Sequence, residues 1–174
     1  MQTTTADAFT SVRRARPDDA NGIEALYGEL VDRTHVRVLP ERIAALATDP
    51  RAVLLVVEQG GVLCATALLS FCADVMYAAQ PFAVVENIVV GEAFRNRGSG
   101  SALLRHIEDE CVAHDCSKVM LLSSMERSDA HRFFERHGFA GSRKKGFVKY
   151  RSGFSEAARR AERDDDQETK GTAR

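Results

Sequence analysis

The sequence has no tryptophan, four prolines and a formal net charge of -1 over 174 residues. So even a charge balance argues against bulk electrostatic capture of nucleic acid or of an anionic membrane, each of which needs a strong basic excess. Neither is expected as a partner, and any anion site must be local. Long apolar runs are missing as well. No window approaches the ~18 residues of a membrane span, and the Thr-rich start, Met1 to Ser11, lacks a basic cluster followed by an apolar stretch. A cytoplasmic location is the default expectation. Cysteine is scarce: Cys64, Cys72, Cys111 and Cys116 lie in apolar stretches without C-x-x-C spacing. That pattern favours reduced core thiols over a disulfide framework or a zinc site. The helical histidines His106, His114, His131 and His137 lack H-E-x-x-H spacing, so no metal is expected.

What is present fits one globular domain, with 44% hydrophobic and 28% charged residues. A flexible leader is expected over 1–11, the domain over 12–152, and a charged, disordered tail over 153–174. Val12 to Arg16 reads as a short strand, and Pro17-Asp18-Asp19 as a helix entrance. Ile23, Leu26, Tyr27, Leu30 and Val31 form one apolar stripe, and Ile43, Leu46 and Ala47 a shorter one ending at Asp49-Pro50. Ala52 to Glu58 and Val62 to Cys72 flank Gln59-Gly60-Gly61 and read as an antiparallel hairpin. A strand over Phe82 to Val90, a helix from Ser99, a strand over Lys118 to Leu122 and a helix around Ala130 to His137 follow, with Gly138 as its stop. A last strand is expected over Gly146 to Tyr150. The order predicts a mixed α/β fold with an antiparallel first half and a strand-helix-strand unit around 84–122.

The most informative stretch runs from Glu86 to Leu104, where an apolar strand passes through a short loop into a helix that opens Arg95-Asn96-Arg97-Gly98-Ser99-Gly100-Ser101. A helix start offers unpaired N–H groups and about half a positive charge, and glycines allow an anion to approach them. Arg95 and Arg97 add charge at the rim. A dinucleotide fingerprint would need a glycine where Leu103 stands and an acid where Ser123 and Ser124 follow the next strand. A phosphate loop with Gly-Lys-Ser/Thr and a G-x-S-x-G elbow are also absent.

Arg95, Gly98 and Gly100 match the pyrophosphate loop of the GNAT superfamily of N-acetyltransferases, and Ala130 to Phe139 resembles its "A, two residues, F-Y, three residues, G-F" segment. Cys116 to Met120 is loosely similar to glucosamine-phosphate N-acetyltransferases. The resemblance implies a single α/β domain, a mixed and mostly antiparallel sheet with helices on both faces, and a splayed central strand pair. It implies acetyl-CoA as the acetyl donor, with Ile88, Val89 and Val90 along the pantetheine arm, the diphosphate over Arg95, Asn96, Arg97, Gly98, Ser99, Gly100 and Ser101, and Phe133 packed on the sheet or the pantetheine. It further implies a small-molecule or protein amine as acceptor, and a homodimer.

Acetyl transfer needs a neutral amine, and an alkylammonium with a pKa near ~10 must first lose a proton. Glu86, the lone carboxylate in the Val84 to Val90 run, is the candidate base, on the expectation that partial burial makes it a better proton acceptor. The family often places a proton-donating Tyr where this chain has Phe134, which leaves water or a hydroxyl such as Ser124 or Ser128 to serve the leaving thiolate. The same departure suits a non-catalytic acyl-CoA-binding regulatory protein on this fold. Arg132, Arg136, Arg143, Lys144 and Lys145 either meet a cofactor phosphate or form a solvated face. Tyr27, His35, Tyr77 and Phe82 are candidates for the acceptor pocket.

Overall fold

The computed structural model describes residues 10–31 and 35–154, so most of the expected leader and tail lies outside the described residues. The chain divides into two compact units, Met1–Phe139 and Ala140–Arg174. The first holds β1 (Thr10–Arg14), α1 (Ala20–Leu30), α2 (Pro40–Ala47), β2 (Ala52–Gln59), β3 (Val62–Cys72), β4 (Phe82–Val90), α3 (Ser99–Ala113), β5 (Val119–Leu121) and α4 (Ser128–Arg136). The sheet order follows the chain, β1-β2-β3-β4-β5. All pairings are antiparallel except β4 with β5, the two strands joined through α3.

Local chemistry accounts for these elements. Gly60 and Gly61 take φ of 60° and 82°, the paired left-handed conformation of a two-residue hairpin turn, which suits the right-handed twist of β2 and β3. Pro40 opens α2, where its missing N–H costs nothing. Gly138, at φ 84°, closes α4: its N–H donates to the Glu135 carbonyl, and the Phe139 N–H donates to that of Phe134.

β2 organises the core because it is buried on both faces. Val53, Leu55 and Val57 point to one side, into a cluster with Leu103, Leu104, Ile107 and Cys111 of α3 and Phe134 of α4. Leu54 and Val56 point to the other, against Ile23 of α1 and Ile43 of α2. Successive strand residues alternate faces, so the sheet lies between two helix layers, as expected.

Two readings need correction. Val31 is not part of the α1 stripe, since the helix stops at Leu30 and Val31 is 57% exposed. Gly146 to Tyr150 forms no strand: Phe147, Val148 and Tyr150 are exposed, and no ladder pairing includes them. A β-rich composition makes a strand only where an edge and a packing surface accept it.

Candidate active site

The site is built where β4 leaves its neighbour. Register between β3 and β4 shifts across Thr66 and Leu68: Leu68 faces Glu86 while Thr66 faces Val89, so Ala67 stands opposite both Asn87 and Ile88. Asn87 absorbs this bulge with φ of 53°, a left-handed value that Asn tolerates better than most residues. The extra residue changes the parity of the strand. Ala83 and Val85 face the α3 layer before the bulge, and Ile88 and Val90 face it afterwards. Pairing with β5 ends at Val85–Leu121. Among the described residues the β5 side of β4 therefore has no ladder partner from Glu86 to Val90, which is the splay expected of the central strand pair.

That open stretch leads directly to the anion cradle. Asn96 (φ 60°) and Gly98 (φ 86°) turn the chain into α3, and a Cβ at Gly98 would meet nothing within 4 Å. No side chain caps the helix, and no acid stands in its first turn. Its first intrahelical bond comes from the Ala102 N–H to the Gly98 carbonyl, at 2.9 Å. The N–H groups of Ser99, Gly100 and Ser101 precede that bond, so the helix start presents donors and positive partial charge to an anion. The Arg95 Nε–H donates to the Val90 carbonyl at 3.3 Å, and the Arg97 guanidinium lies 5.9 Å from the Phe94 ring centroid.

The remaining predicted residues divide by role. Ser99 is 1% exposed and accepts a contact from the Cys64 thiol at 3.5 Å, so its side chain is structural and only its N–H is available to a ligand. Gly100 leaves room for its neighbours: a Cβ there would stand 3.0 Å from Phe133 Cζ and 3.3 Å from Val90 Cγ2, so these side chains would have to shift by a few tenths of an ångström. The structure thus brings together Val90, Gly100 and Phe133. Ser101 is tied to α4. His137 Nδ1 lies 2.8 Å from the Phe133 carbonyl and so carries hydrogen there, which leaves Nε2 to accept from the Ser101 hydroxyl at 2.9 Å. Val89 is buried on the α1 side of β4.

Glu86 is exposed, so the expected burial of its carboxyl is not met. Beside it Tyr27 of α1 brings its hydroxyl to Thr66 and Asn87, and burial raises the phenol above its ordinary value. Tyr77 stands well exposed at 60%, and Phe82 lies under the Lys118 ammonium at 4.8 Å. Phe134 is buried in the α3 layer, with no hydrogen to donate. Arg132 pairs with Asp129, while Arg143, Lys144 and Lys145 belong to the second unit. A cavity of about 230 Å³ beside α1, lined by Asn21, Glu24, Ala25, Gly28 and Val36, contains none of the predicted site residues. Sequence reading missed Asn87 as a bulge residue, although the Glu86-Asn87 pair interrupting an apolar run was a visible signal.

A bulged strand splayed from its parallel neighbour delivers the chain to an uncapped, glycine-led helix, the arrangement of an acetyltransferase fold. Residues 22–139 match the acetyltransferase (GNAT) family, and the chain belongs to that family. No curated protein matches the sequence at a significant level. Among solved structures, a protein of Agrobacterium tumefaciens str. C58 designated an acetyltransferase is 30% identical, with 80% of this chain and 99% of that one covered and a TM-score of 0.71. Glucosamine-6-phosphate N-acetyltransferase from Arabidopsis thaliana is 22% identical, with coverage of 82% and 98% and a TM-score of 0.71. An aminoglycoside N-acetyltransferase in complex with CoA is 17% identical, with coverage of 85% and 99% and a TM-score of 0.68.

Proposed function

We propose that the protein transfers the acetyl group of acetyl-CoA to an amine by direct attack in a ternary complex. The observation that carries this reading is the uncapped start of α3 at the end of the unpaired stretch of β4. The α3 donors with Arg95 and Arg97 suit a diphosphate, and the open edge from Glu86 to Val90 suits an extended amide chain, which can bond to backbone as a strand does. When bound, acetyl-CoA supplies an activated acyl group on a thiolate leaving group. Glu86, exposed beside the bulge, takes the proton from the incoming ammonium. Asn87 and Tyr27 border the same side and help shape the acceptor's place.

The cradle is tested by comparing Gly98→Asp with Gly98→Asn. Both place a tolerated side chain at the same left-handed position, where there is open space, and only one adds charge. Calorimetry should give acetyl-CoA affinity for Gly98→Asn close to wild type and a loss of at least about tenfold for Gly98→Asp. Equal affinities would sink the diphosphate assignment. Glu86→Gln should lower turnover on a panel of primary amines about 10²-fold and leave acetyl-CoA affinity little changed. Full activity in that variant would remove Glu86 as the base.

The buried Phe134 favours a second reading, an acyl-CoA-binding regulatory protein without turnover. Wild type that binds acetyl-CoA but releases no free thiol with any amine of the panel would decide for it.

A further inference from the structure

Among the described residues, two buried side-chain polar atoms have no hydrogen-bond partner, Gln59 Oε1 and Ser123 Oγ. Gln59 closes β2 next to the hairpin turn, outside the gap between β4 and β5. Ser123 is at the site. It follows β5, two residues beyond Leu121, the last residue paired with β4. Exposure alternates through this stretch, with Val119, Leu121 and Ser123 half-buried and Met120, Leu122 and Ser124 exposed. Period-two alternation puts Ser123 on the face of Val119 and Leu121, which pack against the α3 layer. Ile88 and Val90 of β4 pack against that same layer. Carried two residues past the Val85–Leu121 pair, the parallel register sets Ser123 level with Asn87, at the mouth of the gap where the strands part.

A hydroxyl closed off from water without a partner is a net cost to folding, and an alanine would avoid it. The hydroxyl is accounted for if its partner arrives with the ligand. We propose that the Ser123 hydroxyl donates a hydrogen bond to the sulfur of CoA and stabilises the thiolate as it departs, a service for which Phe134 has no hydrogen. This rests on the acetyl transfer proposed above. The amine nitrogen forms a bond to the acetyl carbonyl carbon and the C–S bond breaks. The electron pair of that bond stays on sulfur, Glu86 holds the proton taken from the ammonium before attack, the surplus proton of the attacking nitrogen goes to water, and solvent later protonates the thiolate. Ser123 keeps its own proton throughout and acts by hydrogen bonding alone. Ser124, one of the two hydroxyls expected from sequence, is exposed on the opposite parity, so Ser123 replaces it in this role.

The test uses CoA itself and needs no acceptor. Wild type, Ser123→Ala and Ser123→Thr are saturated with CoA, and the ultraviolet absorbance of the thiolate is followed as pH rises, with ligand-free protein subtracted. A hydrogen bond to a charged sulfur should favour the thiolate about tenfold, so bound CoA should titrate about one pH unit lower in wild type than in Ser123→Ala. Ser123→Thr, which keeps the hydroxyl, should recover most of that difference. Ligand-free Ser123→Ala should melt no lower than wild type. Identical titration in wild type and Ser123→Ala overturns the proposal while leaving CoA binding intact. A lower melting temperature with identical titration also overturns it, assigning the hydroxyl to a buried water. Wild type that fails to bind CoA overturns both this proposal and the acetyltransferase reading.

Discussion

Leu103→Ala is expected to lower stability by about 3 kcal/mol and the melting temperature by about 10 °C. Leu103 is fully buried on the inner side of α3, in the cluster shared with Val53, Leu55, Val57 and Phe134. Truncation there loses the transfer free energy of the removed carbons and leaves a cavity, because sheet and helix close on it only in part. Val112→Ala on the same helix is the control. Val112 is 75% exposed, so its loss should stay within about 0.5 kcal/mol. Urea unfolding measures both, and an unchanged slope with a lower midpoint would show a pure loss of stability. The consequence reaches the site because the first turn of α3 presents the anion donors and the same helix is held down by Leu103. A loss for Leu103→Ala no larger than for Val112→Ala would mean that α3 is not held by this cluster.

The parts of the fold that were legible in the sequence are those in which local pattern and tertiary burial agree. The stripe of Ile23 and Leu26 and the run from Leu103 through Ile107 to Cys111 each predicted a buried helix face, and each is buried. Phe82 to Val90 was bounded correctly because Pro81 and Gly91 flank a continuous apolar run. Gly146 to Tyr150 failed for the opposite reason. Its β-rich composition is local, whereas a strand needs a partner that composition does not supply. Val31 failed on a similar point: it continues the helical spacing, but the backbone leaves the helix before it.

At the site, the motif located the helix start but not the division of labour within it. Gly98 and Gly100 looked equivalent as spacers that admit an anion. Gly98 carries the left-handed φ with open space around it, while Gly100 makes room for Phe133 and Val90. That difference depends on α4, whose approach to the loop is a tertiary fact. Asn87 carried a signal in its polar neighbour Glu86 but not its role as a bulge, and Ser123 carried none, for related reasons. A bulge is a mismatch between two strands, and an unpartnered hydroxyl is defined by all that surrounds it. Glu86 was singled out as a base for its lone position in an apolar run, on an expected burial that the folded chain does not give it.

Asp19→Asn should cost about 2–3 kcal/mol at pH 7, and the cost should shrink as the solution is acidified. The Asp19 carboxylate accepts from both terminal nitrogens of Arg13, at 2.7 and 2.9 Å, and from the Arg16 backbone N–H at 2.7 Å. Arg13 also binds Glu58 of β2 at 3.1 Å, so the group joins β1, β2 and the entrance to α1. Asp19 is 9% exposed, which shields the pair from solvent more than a surface ion pair. The Arg13 guanidinium holds the Asp19 carboxyl below its ordinary value, and the Arg16 N–H adds to this against the opposing effect of burial. The lowered value in the folded state means that the unfolded chain binds this proton first as pH falls. The contribution is thus complete well above the unfolded value of about 3.9 and is lost as pH drops through the folded one. Asp49 and Asp74 are also lowered but remain in both proteins, so their effects cancel in the difference. Urea midpoints at pH 7 and near pH 3 should therefore show a gap between wild type and Asp19→Asn that narrows in acid. A gap independent of pH would place the loss in packing. Because α1 carries Tyr27 to Asn87 and Thr66, Asp19→Asn should also loosen the acceptor side of the site, while acetyl-CoA binding at α3 stays close to wild type.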